Sequence, residues 1–144
     1  MRNRVEVMHG VNLDVLGRRP TAHYGGLTLE QLEVQVTRFA RELGLVVTFT
    51  QTNHEGDFCE SLHGTTADGL VLNPGAWTHY SWAIRDALEV AGLPAVEVHL
   101  SRVDEREEWR RVSVVRDLCI GTVQGKGVEG YREALALLKE RLGS

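Results

Sequence analysis

Two pairs of polar residues in this sequence have the types and spacing that suit proton transfer. Arg19 and Tyr24 lie five residues apart in a long polar segment. A tyrosine, with its reference pKa of about 10, becomes a usable base when a neighbouring guanidinium stabilises the phenolate. Glu97 and His99 are two residues apart, so on a strand they share a face, where Glu97 can orient His99 as a general acid. Each pair also fits a purely structural role.

A third polar segment follows a short apolar run. It reads Asn73-Pro74-Gly75-Ala76-Trp77-Thr78-His79 and leads into a helical pattern. The free backbone N–H groups at a helix start favour anions or the polar atoms of a ligand. The segment therefore predicts a binding site, with a capped turn in which Asn73 makes only local hydrogen bonds as the alternative.

Several other chemistries are disfavoured by the sequence. The only lysines, Lys126 and Lys139, fall in a glycine-rich turn and in a C-terminal amphipathic stretch, so an imine mechanism is not expected. The six histidines lack a helical metal-binding spacing, and Cys59 and Cys119 are interpreted as buried free thiols. The GxGxxG pattern at 125–130 comes too late for a dinucleotide fingerprint and predicts a tight turn. We expect no metal and no cofactor.

Hydrophobic periodicity predicts elements that can position these groups. Strands are predicted at 5–8, 45–50, 70–72, 95–100 and 119–123, and helices at 28–43, 56–66, 77–91 and 129–142. Strands that alternate with helices form parallel sheets. We therefore predict one domain over residues 1–144 with an α/β, flavodoxin-like three-layer sandwich and a five-stranded parallel sheet. In such sheets ligands bind beyond the carboxyl ends of the strands, where the polar segments fall.

The overall charge and the N-terminal sequence bear on partners and location. The formal net charge of −4 gives no electrostatic reason to expect nucleic acid or an anionic membrane as a partner. The first apolar run is interrupted at Glu6, His9 and Asn12, so neither a signal peptide nor a membrane span is expected. We expect a cytoplasmic protein.

Taken together, these segments resemble the type II dehydroquinases (3-dehydroquinate dehydratases). The resemblance is carried, in collinear order, by residues 9–25, 51–56, 72–79, 84–87, 97–101, 106–110 and 125–131. It covers nearly the whole chain and is therefore specific for the family. It implies dehydration of 3-dehydroquinate to 3-dehydroshikimate through an enolate, without a metal or a Schiff base.

The resemblance also implies roles for individual residues. Tyr24 would be the base, Arg19 would stabilise its phenolate, and Asn12 would help to hold a water at the enolate. His99, oriented by Glu97, would protonate the departing hydroxyl. The implied substrate-binding groups are Asn73, His79, Arg110 and the backbone N–H groups of Leu100 and Ser101, with Asp86 reaching a neighbouring subunit's site. The implied assembly is a homododecamer built from trimers.

The sequence departs from the family pattern at several positions around these groups. The departures are His9, Val11, Trp77, Tyr80, Trp82, Arg102, Asp104 and the run 113–118. They leave open a paralogue that dehydrates a related cyclic hydroxyketo-acid, and a catalytically inactive relative that binds a ligand. Retention of all the proposed proton-transfer groups argues against the inactive relative.

Overall fold

Five parallel strands form the centre of the computed structural model, which describes residues 1–24 and 26–143. Gly25, part of the first motif, and Ser144 lie outside the described residues. The strands are β1 Arg4–His9, β2 Val46–Gln51, β3 Gly69–Asn73, β4 Ala95–His99 and β5 Gly121–Gln124. Their order is β2-β1-β3-β4-β5, which is the flavodoxin-like order. Every residue of β3 and β4 is buried, because helices cover both faces of the sheet.

Two layers of helices complete the predicted three-layer sandwich. The helices are α1 Thr21–Tyr24, α2 Leu29–Glu42, α3 Glu55–Gly64, α4 Trp82–Ala91 and α5 Glu129–Leu142. One core cluster joins the sheet to α2 and α5, and a second joins its other face to α3 and α4. No helix within the described ranges is long and apolar enough to cross a membrane.

The start of α2 shows how local sequence fixes an element. The Thr28 hydroxyl accepts a hydrogen bond from the Gln31 N–H at 3.2 Å, and the Gln31 side-chain oxygen accepts from the Thr28 N–H at 3.0 Å. This reciprocal pair is the predicted capping box. Gly44, with φ of +75°, lies just beyond the helix in the left-handed region that glycine favours.

The prediction of one continuous helix over 77–91 is wrong. The chain forms a 3₁₀ turn, Gly75–His79, and then a separate α4. Ser81 separates them, because its hydroxyl accepts from the Ile84 N–H at 3.0 Å and caps a new helix. The apolar periodicity continues across this break, so periodicity alone could not show it. The break leaves His79 on its own turn rather than on the α4 axis.

The two cysteines are less buried than predicted. Cys59 and Cys119 are both half-buried and both unpaired. In α3 the core positions are taken by Phe58 and Leu62. Burial raises the pKa of Cys119 to about 12, so its thiol stays protonated at neutral pH.

The polar segments meet between β1 and β3, where the chain changes the direction in which it adds strands to the sheet. His9 pairs with Asn73 across these two strands. The N–H of the next residue, Gly10, donates to the Asn73 carbonyl at 2.8 Å. Such switch points are where open α/β sheets bind ligands.

Gly10 allows the two chains to approach closely at this point. A Cβ at Gly10 would lie 2.2 Å from the carbonyl oxygen of Pro74. We expect Gly10→Ala to lower the free energy of unfolding by about 1–3 kcal/mol, because the backbone must move apart. Gly56→Ala is the matched control, since its Cβ would meet nothing within 4 Å on α3. Denaturant unfolding measures both, and equal stabilities would contradict the packing argument.

Candidate active site

A cavity opens at the carboxyl ends of β3 and β4. It contains eight of the eleven predicted site residues. Its lining is Leu13, Arg19, Tyr24, Asn73, Gly75, Ala76, His79, His99, Leu100, Ser101, Val103, Arg106 and Arg110. Three of these side chains are guanidinium groups, and no carboxylate, lysine or cysteine is among the described lining residues. The cavity therefore favours an anionic ligand.

Tyr24 is held by two arginines. Arg19 donates to the phenolic oxygen at 2.7 Å, and Arg106 donates to the same oxygen at 2.6 Å. The Arg19 guanidinium also lies 4.2 Å from the centre of the Tyr24 ring. Tyr24 itself is only 8% exposed. The Tyr24 oxygen therefore accepts two charge-assisted hydrogen bonds from opposite sides of the sequence.

Arg106 is the main residue that the sequence reasoning missed. It lies in the motif at 106–110, but only Arg110 of that motif was assigned to the site. Arg106 comes from the segment after β4, eighty-two residues beyond Tyr24. The spacing of Arg19 and Tyr24 shows one local partner, whereas a partner this distant becomes visible only in the folded chain.

His99 and Glu97 share a face at the end of β4, as predicted. Glu97 Oε2 lies 2.6 Å from His99 Nε2. An ionised carboxylate can only accept, so His99 donates from Nε2 and its Nδ1 remains for a ligand. Both side chains are buried. Glu97 thus fixes the orientation of the His99 ring.

Glu97 is fully buried yet remains an anion. Burial raises the pKa of its carboxyl group, but hydrogen bonds from His99, Thr78 and Ser113 outweigh burial and lower the pKa overall. Thr78 donates to Oε2 at 2.5 Å, and Ser113 donates to Oε1 at 2.8 Å. Ser113 belongs to the divergent run 113–118, so that run retains a hydroxyl that supports the proposed acid.

His79 presents one lone pair to the cavity. Its Nδ1–H donates to the Val112 carbonyl at 2.6 Å. Burial lowers the pKa of His79, and the neighbouring His99 contributes in the same direction. Its ring stacks on that of His99 with the centroids 6.3 Å apart. A neutral ring that donates from Nδ1 leaves Nε2 as a hydrogen-bond acceptor, which suits a ligand hydroxyl.

Three predicted site residues do not line the cavity of the single chain. Asn12 is exposed in the left-handed turn before the 3₁₀ segment Leu13–Arg18, with φ of +70°, and its N–H donates to Asn53 at 2.8 Å. Asp86 is exposed on α4. The third residue outside the lining, Glu97, lies behind His99.

The three aromatic residues that depart from the family pattern, Trp77, Tyr80 and Trp82, add no bulk to the cavity. Trp77 is buried against Phe58, with ring centroids 5.8 Å apart in the core on the α3 and α4 side. Tyr80 and Trp82 are 58% and 64% exposed. None of these three aromatic side chains is among the described lining residues. The residues that do line the cavity are therefore largely those the motifs share.

Comparison with known proteins agrees with this geometry. A family model described as dehydroquinase class II matches residues 3–139. The 3-dehydroquinate dehydratase of Thermotoga maritima is 47% identical over 139 residues, covering 96% of each chain. That of Pelobacter propionicus is 43% identical over 144 residues, covering 98% of this chain and 97% of its own. The crystal structure of type II dehydroquinase from Propionibacterium acnes has a TM-score of 0.91 and 40% identity, covering 97% of this chain and 98% of that chain.

His9, at the end of β1 behind Asn73, makes stability depend on pH. Burial lowers the pKa of His9 to about 4 from 6.5. As the pH falls below 6.5 the unfolded chain takes up this proton and the folded chain does not, so stability present above pH 6.5 is lost towards pH 4. We expect the free energy of unfolding to fall by about 3 kcal/mol more in the wild type than in His9→Gln between pH 7 and pH 4.

Denaturant unfolding at several pH values measures this difference. Glu97 and the other carboxyl groups titrate in both proteins, so their contributions cancel in the comparison. Parallel stability curves for the wild type and His9→Gln would show that His9 is not held neutral.

Proposed function

The chain belongs to the dehydroquinase class II family, and we propose that its cavity removes water from 3-dehydroquinate with Tyr24 as the base and His99 as the acid. The reaction makes the protein a hydro-lyase of the shikimate pathway. One observation carries the assignment of roles. The Tyr24 oxygen receives hydrogen bonds from two guanidinium groups, and the buried His99–Glu97 pair lines the same cavity.

The first step forms an enolate. The Tyr24 phenolate accepts a proton from the carbon beside the substrate ketone, and the electron pair of the broken C–H bond moves onto the ketone oxygen. Arg19 and Arg106 stabilise the phenolate before the transfer. Asn12 is proposed to act through a water at the enolate oxygen, which accords with its position outside the cavity lining.

The second step expels the hydroxyl group. His99 gives its Nδ1 proton to the departing hydroxyl, the C–O bond breaks, and the enolate electrons form the C=C bond of the conjugated enone. Glu97 stays ionised beneath His99 and compensates the imidazolium charge before the transfer. Return of the proton from Tyr24 to solvent and protonation of His99 restore the enzyme.

The remaining lining groups are proposed to hold the substrate. Asn73, His79 and Arg110 would bind its hydroxyl groups, and the backbone N–H groups of Leu100 and Ser101 would bind its carboxylate. The neutral His79 with its free Nε2 supports the hydroxyl assignment. The surplus of guanidinium groups in the lining supports an anionic substrate.

Replacing the proposed base tests the mechanism directly. We expect Tyr24→Phe to lower kcat by about 10²–10⁴-fold, because the ring packs as before but no oxygen accepts the proton. Tyr80→Phe is the matched control, since Tyr80 is exposed and outside the cavity lining. The rise in ultraviolet absorbance as the conjugated enone forms measures turnover. Near-normal turnover by a folded Tyr24→Phe protein would refute the assignment of the base.

We also propose that the chain assembles as a homododecamer built from trimers, with Asp86 reaching a neighbouring subunit's site. The exposed position of Asp86 on α4 supports this, as do the exposed apolar side chains of Trp82, Trp109 and Val112. Sedimentation velocity is expected to give a mass about twelve times that of one chain. A monomer with full activity would contradict both the assembly and the role of Asp86.

The two unpaired cysteines support a cytoplasmic location.

A further inference from the structure

A buried hydrogen-bonded chain of three side chains lies behind the cavity. His9 Nε2 is 2.9 Å from the Tyr131 hydroxyl oxygen, and that oxygen accepts from Asn73 Nδ2 at 3.1 Å. His9 and Tyr131 have no exposed surface, and Asn73 is 4% exposed. Of the three, only Asn73 lines the cavity. The mechanism proposed above assigns nothing to His9 or Tyr131.

The direction of every hydrogen bond among these three side chains follows from the contact that Asn73 makes beside the cavity. The N–H of Gly75 can only donate, and it lies 3.3 Å from the Asn73 oxygen, so the Asn73 amide nitrogen faces Tyr131. The Tyr131 oxygen therefore accepts, and its own proton needs another acceptor. Among the described residues that acceptor is His9 Nε2. His9 is consequently neutral with its proton on Nδ1, a buried atom without a hydrogen-bond partner in the described part of the chain.

We propose that His9 and Tyr131 are positioning residues that fix the amide orientation of Asn73 and thereby the hydrogen bonds it offers to the substrate. The proposal rests on the proposed function, in which Asn73 binds a substrate hydroxyl. The amide has one N–H and one oxygen lone pair left for the ligand. A half-turn of the amide would exchange the two, and the Tyr131 oxygen opposes that turn because its proton is already given to His9.

The location of the chain supports this role. His9 and Asn73 are paired at the ends of β1 and β3, the switch point of the sheet, and Tyr131 reaches them from the first turn of α5. Burying a hydroxyl and an imidazole costs free energy unless they are hydrogen-bonded, and one nitrogen of His9 remains unpaired. These buried polar groups thus lower stability, but they fix which atom carries the proton in each hydrogen bond behind the cavity.

Removing the central hydroxyl tests the proposal. We expect Tyr131→Phe to raise the KM for 3-dehydroquinate by about tenfold and to change kcat by less than about threefold, because an amide free to turn binds substrate less well without affecting proton transfer. Tyr80→Phe is the matched loss of a hydroxyl and should change neither constant. An unchanged KM, or a fall in kcat at constant KM, would overturn the proposal.

A pair of variants at His9 gives a second test that does not depend on the folding of Tyr131→Phe. Gln carries an oxygen at the same number of bonds from Cβ as Nε2 and can accept the Tyr131 proton, whereas Leu cannot. We expect His9→Leu to raise KM as Tyr131→Phe does and His9→Gln to restore it towards the wild-type value. Equal KM values for the two His9 variants would overturn the proposal.

Nitrogen NMR of the imidazole rings shows which nitrogen of His9 carries the proton, and the measurement does not depend on enzyme activity. The wild type should show His9 protonated at Nδ1 and unprotonated at Nε2 near pH 7. Tyr131→Phe, or His9→Gln as the assignment control, identifies the resonance. The opposite tautomer would refute the proposed order even in an active enzyme. Absence of dehydratase activity in the wild type, with the expected tautomer present, would instead count against the proposed function alone.

Discussion

The buried carboxylate of Glu97 is the constraint on which the rest of the site depends. An ionised carboxylate without water is stable only when donors surround it. Here the donors come from three separate segments: His99 from β4, Thr78 from the turn after β3, and Ser113 from the loop before β5. Satisfying one charge therefore brings three segments together. The same contacts that offset the cost of burial also fix the ring of His99, the proposed acid.

The parallel sheet supplies the frame for this arrangement. Because all five strands run the same way, the segments that follow β1, β3 and β4 emerge at one edge. Glu97 and His99, the proposed acid, are on β4, which lies between β3 and β5 inside the sheet. Tyr24, the proposed base, is instead on a four-residue helix, Thr21–Tyr24, between the sheet edge and α2. The proposed acid is thus on a strand, and the proposed base is on the segment that connects β1 to α2.

Sequence patterns predicted the fold better than the site. Helix α5 was predicted with its observed bounds, because strong periodicity and a following glycine define it. The helix break at Ser81 was missed, since a capping serine was outweighed by continuous apolar spacing. Local pairs such as Glu97 and His99 were visible because strand geometry relates positions two apart. The contacts of Arg106 and Tyr131 join distant segments, and only packing of the whole chain determines them.

The hydrogen bonds to the Tyr24 oxygen couple two equilibria. One guanidinium comes from the segment that carries the tyrosine and the other from the segment after β4, so the oxygen joins these two segments. A phenolate accepts both bonds more strongly than a neutral phenol does. In the proposed mechanism, the phenolate form of Tyr24 and the contact between these two segments consequently favour each other to the same extent. In the proposed mechanism, transfer of the substrate's proton to Tyr24 therefore weakens both bonds, and with them the contact between the two segments.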